Sequence, residues 1–282
     1  MKQVLKGQTV VITGAGRGIG LAQANYCAGL GANVVIVDSG AEMDGTGSDA
    51  LLAPKVARDI GRQGGVAFPC ALDVRAEGAC AEVIDLCVRR FEKIDAIVLN
   101  AGIHTETPLR HMHSEHLRTS LEYIQAAYTW TTHAIDHWWD SNQSGALLLT
   151  TSSRAWYGQA HQAHLSTIDA SIVALVKSAA LELRHKPIRI NAIAPCALSR
   201  QTEHTPEFRR VGMDAMSPEH IAPVAAFLIS PLAKDIHGEV LAVTGHRIYS
   251  FQTLQTPGVF TTHGISELSD LEPLVQKALR SS

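Results

Sequence analysis

The sequence has 282 residues, of which 46% are hydrophobic and 18% charged, with a formal net charge of −3 at pH 7. This composition is globular and excludes a disordered chain, and the charge speaks against nucleic acid or an anionic membrane surface as partner. The five cysteines (Cys27, Cys70, Cys80, Cys87 and Cys196) include no Cys-x-x-Cys pair, which suits buried thiols in a reducing, cytoplasmic compartment.

The opening MKQVLKGQTV leads straight into a strand, so no leader is expected, and no apolar run looks long enough to cross a bilayer. The first strand, Thr9–Thr13, runs into a glycine turn with Gly14, Gly18 and Gly20, followed by a helix over Gly18–Leu30. Glycines let a backbone turn tightly and approach a diphosphate, and the helix start offers free N–H groups and its positive dipole end. A second strand, Val34–Asp38, ends in an acid about 20 residues beyond the turn, where a carboxylate meets ribose hydroxyls. Ser39–Ser48 reads as a loop.

Helix and strand then alternate. Helices are expected at Asp49–Gln63, Ala76–Phe91, Ser114–Trp139, Ser166–Leu183 and Pro218–Ile229. Strands are expected at Val66–Leu72, Ala96–Leu99, Ala146–Thr150, Arg189–Ile193 and Glu239–Val243. Nearly all-apolar strands such as AIVL and ALLL suit a parallel sheet covered on both faces. The fold class is therefore α/β: one doubly wound parallel sheet of about seven strands over residues 1–250. Residues 251–282 form a C-terminal extension with a short helix expected at Leu268–Leu279.

Several motifs now make the chain resemble the short-chain dehydrogenase/reductase family, a Rossmann-fold family. They are TGAGRGIG at Thr13–Gly20, Asp73-Val74, Asn100-Ala101-Gly102, Ser152-Ser153 and INAIAP at Ile190–Pro195. The loops DSGAEMDGTGSDA and IAPCALSRQTE resemble the hydroxyacyl-CoA dehydrogenase domains of multifunctional β-oxidation enzymes. The resemblance implies NAD held by Gly14, Arg17, Gly18, Ile19, Gly20, Asp38, Asp73, Val74, Asn100, Ala101, Gly102, Pro195 and Ser199. Asp38 favours NAD over NADP, although Arg17 could meet an extra phosphate.

The catalytic pattern departs from the family. Its Tyr-x-x-x-Lys pair falls on Leu165 and Asp169, and its helical asparagine near Ile124, leaving Ser153 alone of the relay. Leu165 cannot move a proton, and Asp169 would raise rather than lower the pKa of a neighbouring acid. Tyr157, His161 and above all His164, just before a helix, are candidate substitutes as acid or base. His111, His113 and His116, and His133 with His137, lack a completing ligand, so no metal is expected. Trp130, Trp138 and Trp139 read as core or interface.

The reading that follows is a catalytically degenerate family member. It would pair with an active paralogue of acyl-CoA chemistry in a hetero-oligomer, or form a homo-oligomer, through helices 114–139 and 166–183. The alternatives are an enzyme with a rewritten site built on His164, Ser153 and Asp169, and an NAD-responsive binding protein.

Overall fold

Strand residues here alternate between two buried faces. Val10 and Ile12 of β1 (Thr9–Thr13) enter one apolar cluster and Val11 enters the other. The same split holds for Val34 and Ile36 against Val35 in β2 (Asn33–Val37). A strand covered on both sides needs apolar residues at every position, which explains the unbroken hydrophobic runs. The computed structural model that shows this describes residues 3–199, 202, 213–260 and 271–280.

The remaining strands are β3 (Val66–Cys70), β4 (Ala96–Leu99), β5 (Gly145–Thr150), β6 (Ile188–Cys196), β7 (Val240–Thr244) and β8 (Arg247–Ser250). They form one sheet in the order β3-β2-β1-β4-β5-β6-β7-β8. Every pairing is parallel except β7 with β8. The helices are α1 (Gly18–Gly29), α2 (Leu52–Arg62), α3 (Ala79–Phe91), α4 (Ser114–Asp140), α5 (Arg154–Tyr157), α6 (Ala163–Leu183) and α7 (Ala222–Ile229). Helices α1, α2 and α7 cover one face of the sheet, and α3, α4 and α6 cover the other. The strand order reverses between β1 and β4, which opens a crevice at the carboxyl ends of the strands.

Several elements differ from the sequence expectation. Among the described residues the sheet has eight strands against the expected seven or so. β8 follows a two-residue turn in which Gly245 takes φ +55, and its largely exposed side chains give no apolar run to read. Pro218–His220 is a separate 3-10 turn ahead of α7. α6 starts at Ala163 rather than Ser166, which puts residues 163–165 on the helix. By length and composition α6 also passes as a possible membrane span, with mean hydropathy 1.2, contrary to the expectation of no such run. Here Ile172, Val176, Ala179, Ala180 and Leu183 of α6 are buried in the core.

By compactness the chain divides into Met1–Ser250 and Phe251–Ser282. In the second unit residues 251–260 have no regular structure, and α8 spans Leu271–Arg280. The expected helix began at Leu268, which lies outside the described residues.

Candidate functional site

A cavity of about 880 Å³ runs along the carboxyl ends of the strands. Its walls include Thr13, Gly14, Arg17, Gly18 and Ile19 from the β1–α1 turn, Asp38 after β2, and Asp73 and Val74 after β3. Asn100, Ala101 and Gly102 after β4, Thr150–Ser153 after β5, and Pro195, Cys196, Ala197 and Ser199 at β6 complete it. Gly20 alone of the expected cofactor-binding residues is not on the wall. It packs inside the turn, where an added Cβ would stand 2.1 Å from the Gly14 carbonyl oxygen. Gly14 takes φ +64, and an added Cβ there would meet Ala101 Cα at 2.9 Å, so this approach suits glycine.

The turn is tied down from its neighbours. Asn100 Nδ2 donates to the carbonyls of Thr13 (3.1 Å) and Gly14 (3.3 Å). Thr13 Oγ1 accepts from the backbone N–H of Asn100 and Ala101. No side chain caps the start of α1, so its first N–H groups are open to an anion. Asp38 Oδ2 accepts from Gly16 N, and Oδ1 from Gly40 N, both at 2.7 Å. These bonds aim the carboxylate along the wall. Arg17 Nη1 donates to the Ala41 carbonyl at 3.2 Å, so its guanidinium is engaged with the loop after β2. A glycine-cradled helix start beside an anchored acid fits the diphosphate and ribose of a dinucleotide.

Asp73 is gripped by Arg75, with Arg75 Nη2 to Asp73 Oδ2 at 2.6 Å. Burial pushes the Asp73 carboxyl up, but the hydrogen bonds and charge of Arg75 outweigh it and hold the pKa below the ordinary value. Arg75 also donates to the Gly45 carbonyl (2.7 Å) and lies over the Tyr123 ring. The loop after β2 is thereby fixed against the wall.

Two helices give the cavity matching rows. Tyr123, Ala126, Ala127 and Trp130 come from α4, and Leu165, Ile168, Asp169 and Ile172 from α6. Both follow the i, i+3, i+4, i+7 spacing of one helix face. Ile124, near which the resemblance places its asparagine, is off this row and off the wall, since one residue along a helix turns a side chain by about 100°.

His164 is corrected for the same reason. It does not precede the helix: α6 begins at Ala163, and His164 stands one step off the inward row and is absent from the wall. It is buried, with Nε2 2.7 Å from Thr105 Oγ1 and Nδ1 sealed without a partner among the described residues. Burial, then the charges of His116, Arg154 and His104, hold its pKa below the ordinary value. Tyr157 is 78% exposed and also off the wall, because α5 ends at once in Gly158 with φ +63. Ser153 and His161 do line the cavity and are exposed at its rim.

The site also contains a network that the sequence reading did not foresee. Asp169 Oδ2 accepts from Arg154 Nε at 2.8 Å. Arg154 Nη1 donates to Gln162 Oε1 at 2.6 Å, and Gln162 Nε2 donates to Glu106 Oε1 at 3.0 Å. Burial holds the Asp169 carboxyl above its ordinary pKa, with Arg154 pulling it down. His104, on the same wall, is held below its ordinary pKa first by burial and then by Arg154. A signal existed: Arg154 is the single lysine or arginine between Arg118 and Lys177, so a buried acid on α6 had one cation near in sequence.

The histidine groups stay apart from this chemistry. His113 and His116 stack at 6.0 Å, and His133 Nδ1 sits 2.8 Å from the Thr129 carbonyl of its own helix. Among the described residues no three His, Cys, Asp or Glu side chains come together as a metal site. Trp130 and Trp138 are core, their indole N–H groups donating to the Val74 and Ile94 carbonyls, while Trp139 is 46% exposed under Lys186.

A family model described as Enoyl-(Acyl carrier protein) reductase matches residues 14–245. The chain belongs to the short-chain dehydrogenase/reductase family. The 7alpha-hydroxysteroid dehydrogenase of Escherichia coli K12 is 30% identical over 255 residues, covering 86% of this chain and 94% of that protein. Peroxisomal multifunctional enzyme type 2 of Mus musculus is 34% identical over 231 residues, covering 79% of this chain but 30% of that protein. A crystal structure of a short chain dehydrogenase from Mycobacterium avium superposes with TM-score 0.84 at 28% identity, covering 99% of this chain and 96% of that one. Family membership makes NAD or NADP the expected cofactor class.

Proposed function

We propose that this chain is a catalytically silent, NAD-binding member of the family, serving as the structural or regulatory subunit of an oligomer with an active paralogue. One observation carries the reading. At the middle of the cavity wall, where the resemblance expects a tyrosine and a lysine, stand Leu165 and Asp169. Leucine has no proton to give, and the carboxylate is occupied by Arg154. Neither Tyr157 nor His164 reaches the wall to replace them.

Bound NAD would supply a hydride acceptor. Its diphosphate would rest on the start of α1, and Asp38 would take the adenosine ribose hydroxyls and disfavour an added phosphate. Ser153 remains as a hydroxyl at the rim, but a lone hydroxyl without its base moves a proton poorly, and general acid–base catalysis is typically worth ~10²–10⁴-fold. The likeness to multifunctional peroxisomal enzymes supports hydroxyacyl-CoA chemistry in the partner. The outward faces of α4 and α6 would make the contact. The free thiols fit a reducing compartment, and the proposed location is the cytoplasm.

Native mass spectrometry of the complex isolated from its own cells tests the proposal. The expected result is a mixed oligomer with a second family member that carries Tyr-x-x-x-Lys. A homogeneous preparation that turns over hydroxyacyl-CoA with NAD at ordinary enzyme rates would overturn it.

A further inference from the structure

The loop between β2 and α2 does more than join them. Its base is pinched: Asp49 N donates to the Ser39 carbonyl at 2.8 Å, and a Cβ added at Gly40 would stand 2.5 Å from the Asp49 carbonyl oxygen. Its tip closes on itself, with Glu42 N donating to the Thr46 carbonyl at 2.8 Å and Gly45 N to the Glu42 carbonyl at 3.0 Å. Ser39, Ala41, Glu42 and Met43 line the same cavity as the glycine turn.

The tip reaches past the neighbouring strand. The backbone N–H of His104, in the segment after β4, donates to the Met43 carbonyl at 2.7 Å. In the sheet, β1 lies between β2 and β4. A loop that leaves β2 and bonds beyond β4 therefore crosses the end of β1, where the glycine turn sits. A dinucleotide crosses the crevice at the same reversal of strand order, so the two meet there.

Hydrogen bonds rather than packing hold the loop in place. Of residues 39–49 only Gly40 and Gly45 are buried, so no side chain of the loop is buried in the core. Arg75 Nη2 donates to the Gly45 carbonyl at 2.7 Å, and Arg17 Nη1 to the Ala41 carbonyl at 3.2 Å. Arg75 is a fixed post: Nε and Nη2 hold Asp73, Nη1 stands 3.4 Å from Glu122 Oε2, and the guanidinium lies over the Tyr123 ring. Gly40, Gly45 and Gly47 all take positive φ. Backbone freedom with little buried apolar surface belongs to segments that open locally at low cost.

We infer that residues 39–49 form a strap across the dinucleotide crevice, latched to Arg75, and that the strap must unlatch for a dinucleotide to enter or leave. Arg75 is then a positioning residue and not a ligand contact. The inference rests on the dinucleotide reading of the cavity.

Stopped-flow fluorescence with NADH as the probe tests it. Two variants loosen the latch from opposite sides. Arg75→Lys keeps a cation for Asp73, but one ammonium cannot serve both Asp73 and the Gly45 carbonyl as the guanidinium fork does. Gly45→Ala would set a Cβ 3.0 Å from Ile103 Cγ2 at a φ of +84, which lifts the tip. Each is expected to raise the association and dissociation rates together by about 10-fold, the scale of one hydrogen bond to a charged group, and to move the equilibrium affinity less than about threefold. Faster dissociation alone in Arg75→Lys, with affinity lost in proportion, would make Arg75 a ligand contact and overturn the strap. Unchanged rates or slower association in that variant would overturn it too, and all these results leave the dinucleotide reading intact. Failure of the unaltered protein to bind NADH would remove the dinucleotide reading and the strap with it.

Discussion

Leu165 and Asp169 lie four residues apart on one face of α6, both buried against the cavity. Their effect on any acid introduced there follows from burial and from the nearby charges. Burial disfavours a charged phenolate and the Asp169 carboxylate disfavours it further, while the Arg154 guanidinium paired with Asp169 works against both. The phenol introduced by Leu165→Tyr should therefore titrate above the ordinary tyrosine value of about 10. Adding Asp169→Lys should bring it back down by at least one unit, since an opposite charge within a few ångströms lowers such a pKa by about 1–3 units. Ultraviolet difference titration against the parent protein reads this without any knowledge of substrate. An identical titration in the single and double variants would show that position 169 has no electrostatic hold on position 165. At this scale the sequence set Leu165 and Asp169 four residues apart, and the structure puts both on one helix and on the cavity wall. It missed Arg154, because an ion pair between α5 and α6 depends on a turn over residues 158–162 that no periodicity encodes.

At the scale of elements, the cavity depends on how α4 is set against the sheet. Trp138 lies flat on Gly145 at the start of β5, and an added Cβ there would stand 2.1 Å from Trp138 Cδ2. The indole N–H also donates to the Ile94 carbonyl at 2.8 Å. Trp130, two turns earlier, donates to the Val74 carbonyl at the cavity edge. The two indoles thus fix the helix in rotation as well as in depth. Gly145→Ala is expected to destabilise the fold by about 1–3 kcal/mol, the usual cost of overpacking a filled core. Urea denaturation measures it, and adding Trp138→Leu should recover part of the loss. A stability equal to the parent's would mean that α4 can slide without penalty. The sequence marked α4 as a long helix but could not say which tryptophan faced inward, since three of them fall within ten residues.

Across the whole molecule, the buried thiols report on the integrity of both sheet faces. Cys27 lies in the α1 cluster, and Cys70, Cys80 and Cys87 lie in the cluster on the other face. Burial pushes Cys27, Cys80 and Cys87 up to about 12 and Cys70 up to about 11. The thiolate is the reactive form, so these four should resist alkylation in the folded protein at pH 8. Mass spectrometry after iodoacetamide is expected to show at most the half-buried Cys196 modified before denaturation, and all five after it. Rapid labelling of Cys27 alone would reveal local opening of the α1 face, whereas labelling of Cys80 and Cys87 would reveal opening of the other face.

The sequence by itself determined the seven parallel strands and the glycine-turn end of the cavity, though not the antiparallel edge strand β8. Those features rest on short-range rules: apolar runs for covered strands, helical spacing, and glycines where a turn meets backbone. That position 165 holds a leucine, which has no proton to move, was legible for the same reason, as a single side chain within a readable helix. Only the tertiary structure decided what surrounds it. His164 turned inward toward Thr105 because α6 starts three residues earlier than its pattern suggested. Arg154 met Asp169 because α5 folds back onto α6. Both outcomes are angular: a step of about 100° per helical residue separates the cavity wall from the core, and that angle is fixed only when the helices dock.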